Sequence, residues 1–336
     1  MTQSWLDIPI SQIKTPTWDT LEVIDLPASK VKLNVIEKYY SESPQAKKIR
    51  ENFFNVMLKD TKKSLEKSDS VSKYSIEDYE SPAKSGINFA LFRENDSGKK
   101  LVNFDGITTN FASVSDEKDT INIFPIAYSE FLVCRSNYYL DAMEKHTGFI
   151  LNAGVGINVT VETSDGIYVL TKRGLGTPVY PGSIYTIGGG VLPKNNTVDN
   201  IINEITEELG LIPEKDFKEE NLIITGIGRD LNYMGGNATR PEIAAYLKLN
   251  SDWKDVLYAH KKTFFQTDVE DIVLLPSDKS NFQKIFPVMV SSGKLLSSAE
   301  LSITYAFMKE NPNLAKTLIS DLNAYQRSDF HPPKTL

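Results

Sequence analysis

The sequence predicts an α/β fold around a mixed sheet, preceded by an α+β segment. Strand-like and helix-like patterns alternate through the second half of the 336 residues. A regular amphipathic helix near residue 200 lies between two glycine-bearing turns. Hydrophobic residues make up 40% and charged residues 24%, the composition of a chain that buries a sizeable core. This length suits two domains, and the change of pattern near residue 145 divides the chain into 1–145 and 146–336.

Residues 1 to about 40 read as short extended pieces broken at Pro9, Pro16 and Pro27. A helix is expected from Ser43-Pro44 towards Lys67, with Ser43 as N-cap and Ile49, Phe53, Val56 and Met57 on its buried face. The polar stretch 59–85 reads as a solvated helix end and a loop. Ile87 to Phe92, the turn at Asn95–Gly98, and Leu101 to Phe104 form a hairpin pattern. Apolar runs follow at Phe131–Cys134 and between Tyr138 and His146. The role of residues 1–145 stays open between covering a pocket, setting specificity and forming a homodimer.

In the second half, Val155 to Val161 and Ile167 to Leu170 read as strands around a turn at Ser164-Asp165-Gly166. A helix from about Val198 to Leu209 follows the glycine run Gly188–Gly190. Strands are expected at 222–227, 243–249 and 271–275. Ser297 and Glu300 have the spacing of a capping box for a helix ending before Asn311-Pro312, and a last helix spans roughly 314–325.

Net charge is −7, so nucleic acid is not an expected partner. No apolar run is long enough to cross a membrane, and Met1 to Ile10 lacks the pattern of a signal peptide, so a cytoplasmic location is expected. Cys134 is the single cysteine, which excludes an internal disulfide and a thiolate zinc site. His146, His260 and His331 share no ligand spacing and read as surface or packing residues.

The chemistry is concentrated in Gly189 to Leu211. Val198, Ile201, Ile202, Ile205 and Leu209 fall within an arc of roughly 100° that faces the core. Glu204, Glu207 and Glu208, spaced i, i+3, i+4, share another arc, and no Lys or Arg lies between Lys194 and Lys215 to relieve their repulsion. Two readings stay open for the helix by itself: an acidic solvent face, or carboxylates gathered for a hard divalent cation.

The segment resembles the Nudix box, with Gly189, Glu204, Ile205, Glu207, Glu208, Gly210 and Leu211 in register. It departs from that pattern at Asn195, where the family has Glu, and at Asn203, where it has Arg. The resemblance covers roughly residues 150–310 and implies a Nudix-type α/β/α sandwich with a mixed sheet. It implies a pyrophosphohydrolase that uses Mg²⁺ or Mn²⁺ on a small nucleoside diphosphate derivative, either a sugar nucleotide or a dinucleotide. In that picture Glu207 and Glu208 hold metal, while Glu204 is a further ligand or orients the attacking water. A general base is sought outside the box, first at Glu242, then at Glu270 or Asp271.

The stretch Gly226-Ile227-Gly228-Arg229-Asp230, followed by Gly235-Gly236 and Arg240-Pro241-Glu242, is similar to one in a Nudix subgroup that cleaves UDP-glucose-type substrates. It suggests Arg229 and Arg240 as phosphate clamps, with surface ion pairing as the alternative. Arg173, in a loop wall that runs from Lys172 to Tyr185, and Gly189, in the box itself, complete the expected substrate-binding set. Tyr180 or Tyr185 would stack on a base or pack in the core. The two asparagines keep a second function in view, a catalytically weak nucleotide-binding sensor or scaffold. A third reading, an interaction protein acting through its N-terminal part, has no motif behind it.

Overall fold

The computed structural model describes residues 4–36, 43–52, 55–56, 92–94, 101–103, 107–127, 154–174, 180, 182–191, 196–231, 239–262 and 269–324. Among them lies a nine-stranded mixed sheet. Its strands are β1 (Lys14–Thr15), β2 (Trp18–Pro27), β8 (Gly156–Glu162), β9 (Ile167–Arg173), β10 (Ile184–Tyr185), β11 (Ile187–Gly190), β12 (Leu222–Asp230), β13 (Arg240–Lys248) and β14 (Val269–Pro276). The order is β1-β2-β12-β13-β8-β9-β10, with β11 on β8 and β14 on β9. β13 and β8 run parallel, and the other pairs are antiparallel.

The pairing of β8 explains where a site can form. Its last residues pair with β9 at Val161↔Val169 and Glu162↔Tyr168, next to the turn at Gly166. Its first residues pair instead with β11, from Gly156↔Gly190 to Val159↔Ile187. β8 and β9 therefore part company, and the 184–190 segment fills the opening.

Helices cover both faces, as the predicted α/β/α sandwich requires. On one face, helices α1 (Thr197–Leu209) and α2 (Trp253–His260) bury Ile201, Ile205 and Val256 against Val159, Val161, Ile243 and Ala245. On the other, α3 (Lys279–Ser291), α4 (Ser297–Glu310) and α5 (Ala315–Ala324) bury Phe282, Phe286, Phe307 and Leu318 against Tyr168, Leu170, Ala244 and Tyr246. Residues 243–246 alternate between these two cores, as the two-residue period of a strand demands.

The division at residue 145 needs correcting. β2 pairs with β12 from Pro27↔Ile223 to Trp18↔Asp230, so N-terminal residues form part of this sheet rather than of a separate domain. A three-stranded sheet of β3 (Lys32–Val35), β7 (Thr120–Ala127) and β6 (Ile107–Val114) joins the same core through Ile121 and Ile123. The expected hairpin is present as β4 (Phe92–Glu94) on β5 (Leu101–Asn103). Residues 44–52 and 55–56 are helical, and the remainder of that predicted helix lies outside the described residues. So do Phe131–Cys134, Tyr138–His146, Asn195, Gly235-Gly236 and His331. No helix among the described residues is long and apolar enough to cross a membrane.

Candidate functional site

Helix α1 is set by its ends and its apolar stripe. Asn196 is the N-cap, and its side chain accepts a hydrogen bond from the Asp199 amide at 2.7 Å. Thr197 lies inside the first turn and donates to the Val31 carbonyl at 2.6 Å. Gly210 ends the helix in the left-handed conformation, φ 69°. Ile201, Ile205 and Leu209 are fully buried, which turns the glutamates away from that core.

The three carboxylates have three different surroundings. Glu204 is half-buried over Gly189, where an added Cβ would overlap its Oε1. The bare backbone of β11 is what lets that carboxylate lie so close. Glu207 is exposed. Glu208 is buried, and the Tyr185 hydroxyl donates to its Oε1 at 2.6 Å. Burial, with the Glu208 charge next to it, pushes the Tyr185 hydroxyl well above its ordinary range, so it stays a proton donor. His260 Nδ1 lies 2.8 Å from the Glu208 carbonyl oxygen. A carbonyl only accepts, so Nδ1 carries the proton, and His260 is the packing residue the sequence suggests.

Arg173 reaches this same corner. It ends β9, and its amide donates to the Ser183 carbonyl at 2.8 Å while its own carbonyl accepts from the Gly182 amide at 3.1 Å. Its guanidinium carbon lies 4.9 Å from the centre of the Tyr185 ring, and its Nε is buried without a hydrogen-bond partner. Tyr185 thus links a cation to a carboxylate. The sequence marks Tyr185 only as a loop-wall residue that stacks on a base or packs in the core. Tyr180 is also buried, and its carbonyl accepts from the Ser183 hydroxyl.

Glu242 is not at this face. Ile243 points into the core beneath α1, so Glu242 points the opposite way, towards α4. Its Oε2 accepts from Asn158 Nδ2 at 2.6 Å, and Arg240 Nε lies 3.3 Å from its Oε1. Full burial pushes its carboxyl up to about 8, against the pull of Arg240. Glu242 and Arg240 are therefore partners on the face of the sheet opposite α1, and the structure does not bring Glu242 together with Glu204, Glu207 and Glu208.

Arg229 is engaged elsewhere too. It forks onto Asp19 of β2, with Nε to Oδ1 at 3.0 Å and Nη2 to Oδ2 at 2.5 Å. Gly226 and Gly228 have a packing reason, since a Cβ there would strike Tyr305 and Leu301 of α4. The first part of the stretch that suggested a UDP-sugar site, Gly226 to Asp230, lies in β12 and packs within the sheet and against α4. Of the other base candidates, Asp271 is exposed and Glu270 pairs with Lys172 at 3.1 Å.

Among the described residues, no three His, Cys, Asp or Glu side chains gather closely enough to enclose a metal ion. Glu204 and Glu207 are hard oxygen donors on the open side of α1, and Glu208 is turned inward. This set does not fit a closed three-carboxylate cage. It fits Mg²⁺ or Mn²⁺ held by one or two carboxylates and completed by water and substrate phosphates, the usual arrangement for Mg²⁺ with phosphorylated ligands.

No protein-family model matches the chain, and no curated protein does. Solved structures similar to it include a MutT/nudix family protein from Enterococcus faecalis, 13% identical with a TM-score of 0.27 over 37% of this chain. A mutT/nudix family protein from Listeria innocua is 16% identical, TM-score 0.32, over 48% of this chain and 97% of its own. A bifunctional NMN adenylyltransferase/ADP ribose pyrophosphatase from Francisella tularensis, complexed with AMP and a Mn ion, is 14% identical, TM-score 0.30, over 53% of this chain. The chain spans only 43% of the Enterococcus protein and 48% of the Francisella protein. Likeness at this level does not carry an activity from one protein to another.

Proposed function

We propose that this protein hydrolyses a diphosphate linkage in a small nucleoside diphosphate derivative, with Mg²⁺ or Mn²⁺ bound at the open face of α1. The observation behind this reading is the seating of Glu204 on the bare backbone of Gly189. That contact joins β11 and an acidic helix into one unit, with the carboxylates near the place where β8 and β9 separate.

The roles follow from the surroundings. Glu207, exposed on the helix, is a cation ligand. Glu204, fixed against β11, is a second ligand or orients the attacking water. Arg173, with its buried Nε, takes phosphate oxygens at the loop wall. A bound cation would neutralise those oxygens and make a water acidic enough to attack phosphorus near neutral pH. Sugar nucleotides and dinucleotides are the substrate classes in view.

The test is hydrolysis of a panel of UDP-, GDP- and ADP-sugars and dinucleotides with Mg²⁺, followed as phosphate released by added phosphatase. We expect turnover with at least one class and a loss of at least about 100-fold in Glu207→Gln. Turnover that survives Glu207→Gln and Glu204→Gln would place the site elsewhere. A second reading, a binding module without turnover, draws on Asn203, which is exposed where the Nudix box has arginine. Nucleotide binding without phosphate release would favour it.

A further inference from the structure

Tyr185 is held from three directions. It pairs with Thr171 across β9 and β10, and its carbonyl accepts from the Thr171 hydroxyl at 3.4 Å. Its ring lies under the Arg173 guanidinium, and its hydroxyl is committed to Glu208 Oε1. Only 3% of Tyr185 is exposed, so the phenol has little freedom to leave by itself. That bond lies on the buried side of α1: Glu208 is buried beside Tyr185 while Glu207 faces out.

Arg173 is the weaker side of this arrangement. Its Nε is buried and makes no hydrogen bond, and the flat ring offers it only a face. A diphosphate offers paired oxygens to which a guanidinium fork binds with two parallel bonds. A phosphate at the loop wall would therefore draw Arg173 off the ring. Without the cation above it the phenol is a poorer donor, and Glu208 becomes easier to turn.

Resting on the hydrolase reading above, we infer that Tyr185 is a positioning residue that holds Glu208 away from the cation until a substrate's diphosphate engages Arg173. The third carboxylate then joins Glu204 and Glu207 only in the ternary complex. Metal without substrate is held loosely, which limits idle occupation of the site.

Mn²⁺ binding to the substrate-free protein, measured by the electron paramagnetic resonance of the free ion, tests this. Tyr185→Phe keeps the ring and removes the hydroxyl. It should bind Mn²⁺ at least about tenfold more tightly than the parent protein. Adding Glu208→Gln to that variant should return the affinity to the parent value. Equal or weaker binding by Tyr185→Phe overturns the inference and leaves the hydrolase reading standing. If Tyr185→Phe does not fold, Glu208→Gln alone carries the test: its Mn²⁺ affinity should match the parent, while Glu207→Gln should lower it. A loss in Glu208→Gln as large as in Glu207→Gln overturns the inference. A parent protein that binds no Mn²⁺ even with ADP present overturns the hydrolase reading itself.

Discussion

Glu242 is a carboxylic acid sealed behind the sheet, and its state sets a pH dependence for the whole molecule. Its pKa rises from the ordinary carboxylate range to about 8, mainly through burial. The folded protein therefore binds this proton more tightly than the unfolded chain does. Its contribution is fully present below the unfolded value, about 4.5, and is lost as pH rises through about 8. Folding free energy should decline across that window by up to about 1.4 kcal/mol per pH unit from this group. Urea denaturation of the parent and Glu242→Gln between pH 5 and pH 8.5 checks this, and the variant should lose most of the slope. A variant as steep as the parent would assign the slope to other groups. The sequence shows that Glu242 exists but not which face it takes, because only strand register fixes that. Arg229 is similar: its partner Asp19 is far away along the chain, and no local pattern joins them.

At the scale of elements, the α1 unit was legible because its signals are local. Apolar spacing, the glutamate ladder and Gly210 all lie within one short stretch. Two neighbouring glycines before it can be told apart by experiment. At Gly189 an added methyl meets the far end of the Glu204 side chain, which can move. At Gly188 it meets the Ile157 carbonyl of β8, which cannot. Gly189→Ala should keep its stability within about 1 kcal/mol while losing roughly 10–100-fold in the proposed hydrolysis, because Glu204 is displaced. Gly188→Ala should lose about 2 kcal/mol or more by thermal melting, because β11 must separate from β8. The reverse ranking would mean that Glu204 is not seated by the glycine.

Other elements misled for physical reasons. Ser297 and Glu300 have capping-box spacing, yet the N-cap is Leu296, and the Glu300 carboxylate accepts from Thr17 at 3.3 Å inside the core. Helix α3 contains Pro287, a residue that ordinarily breaks a helix; buried Phe282, Phe286 and Val290 hold that helix on the sheet.

At the scale of the whole molecule, the N-terminal part is structural to the site. Thr109 donates to the Val191 carbonyl at 2.9 Å, and Val31 accepts from Thr197 at 2.6 Å. Both ends of the loop that carries the box into α1 are thus tied to residues before 145. A chain lacking residues 1–35 would expose β12 along the edge that β2 covers and would lose the Trp18 and Val23 contribution to the core. It should show no cooperative thermal transition by circular dichroism, and a folded, hydrolytically active truncation would contradict this. Composition and the change of pattern near residue 145 suggested two domains, because long-range strand pairing leaves no local trace.

The place of β2 in the sheet also governs how the protein comes into being. On the ribosome, residues 18–27 leave the exit tunnel long before residues 222–230, the strand they flank, have been made. Until then this apolar segment lacks the partner that covers it in the sheet, and exposed segments of this kind are prone to wrong pairing with neighbouring chains. Yield in a cell should therefore respond to translation speed and to chaperones that shield extended segments, even though the finished molecule keeps that strand between two others.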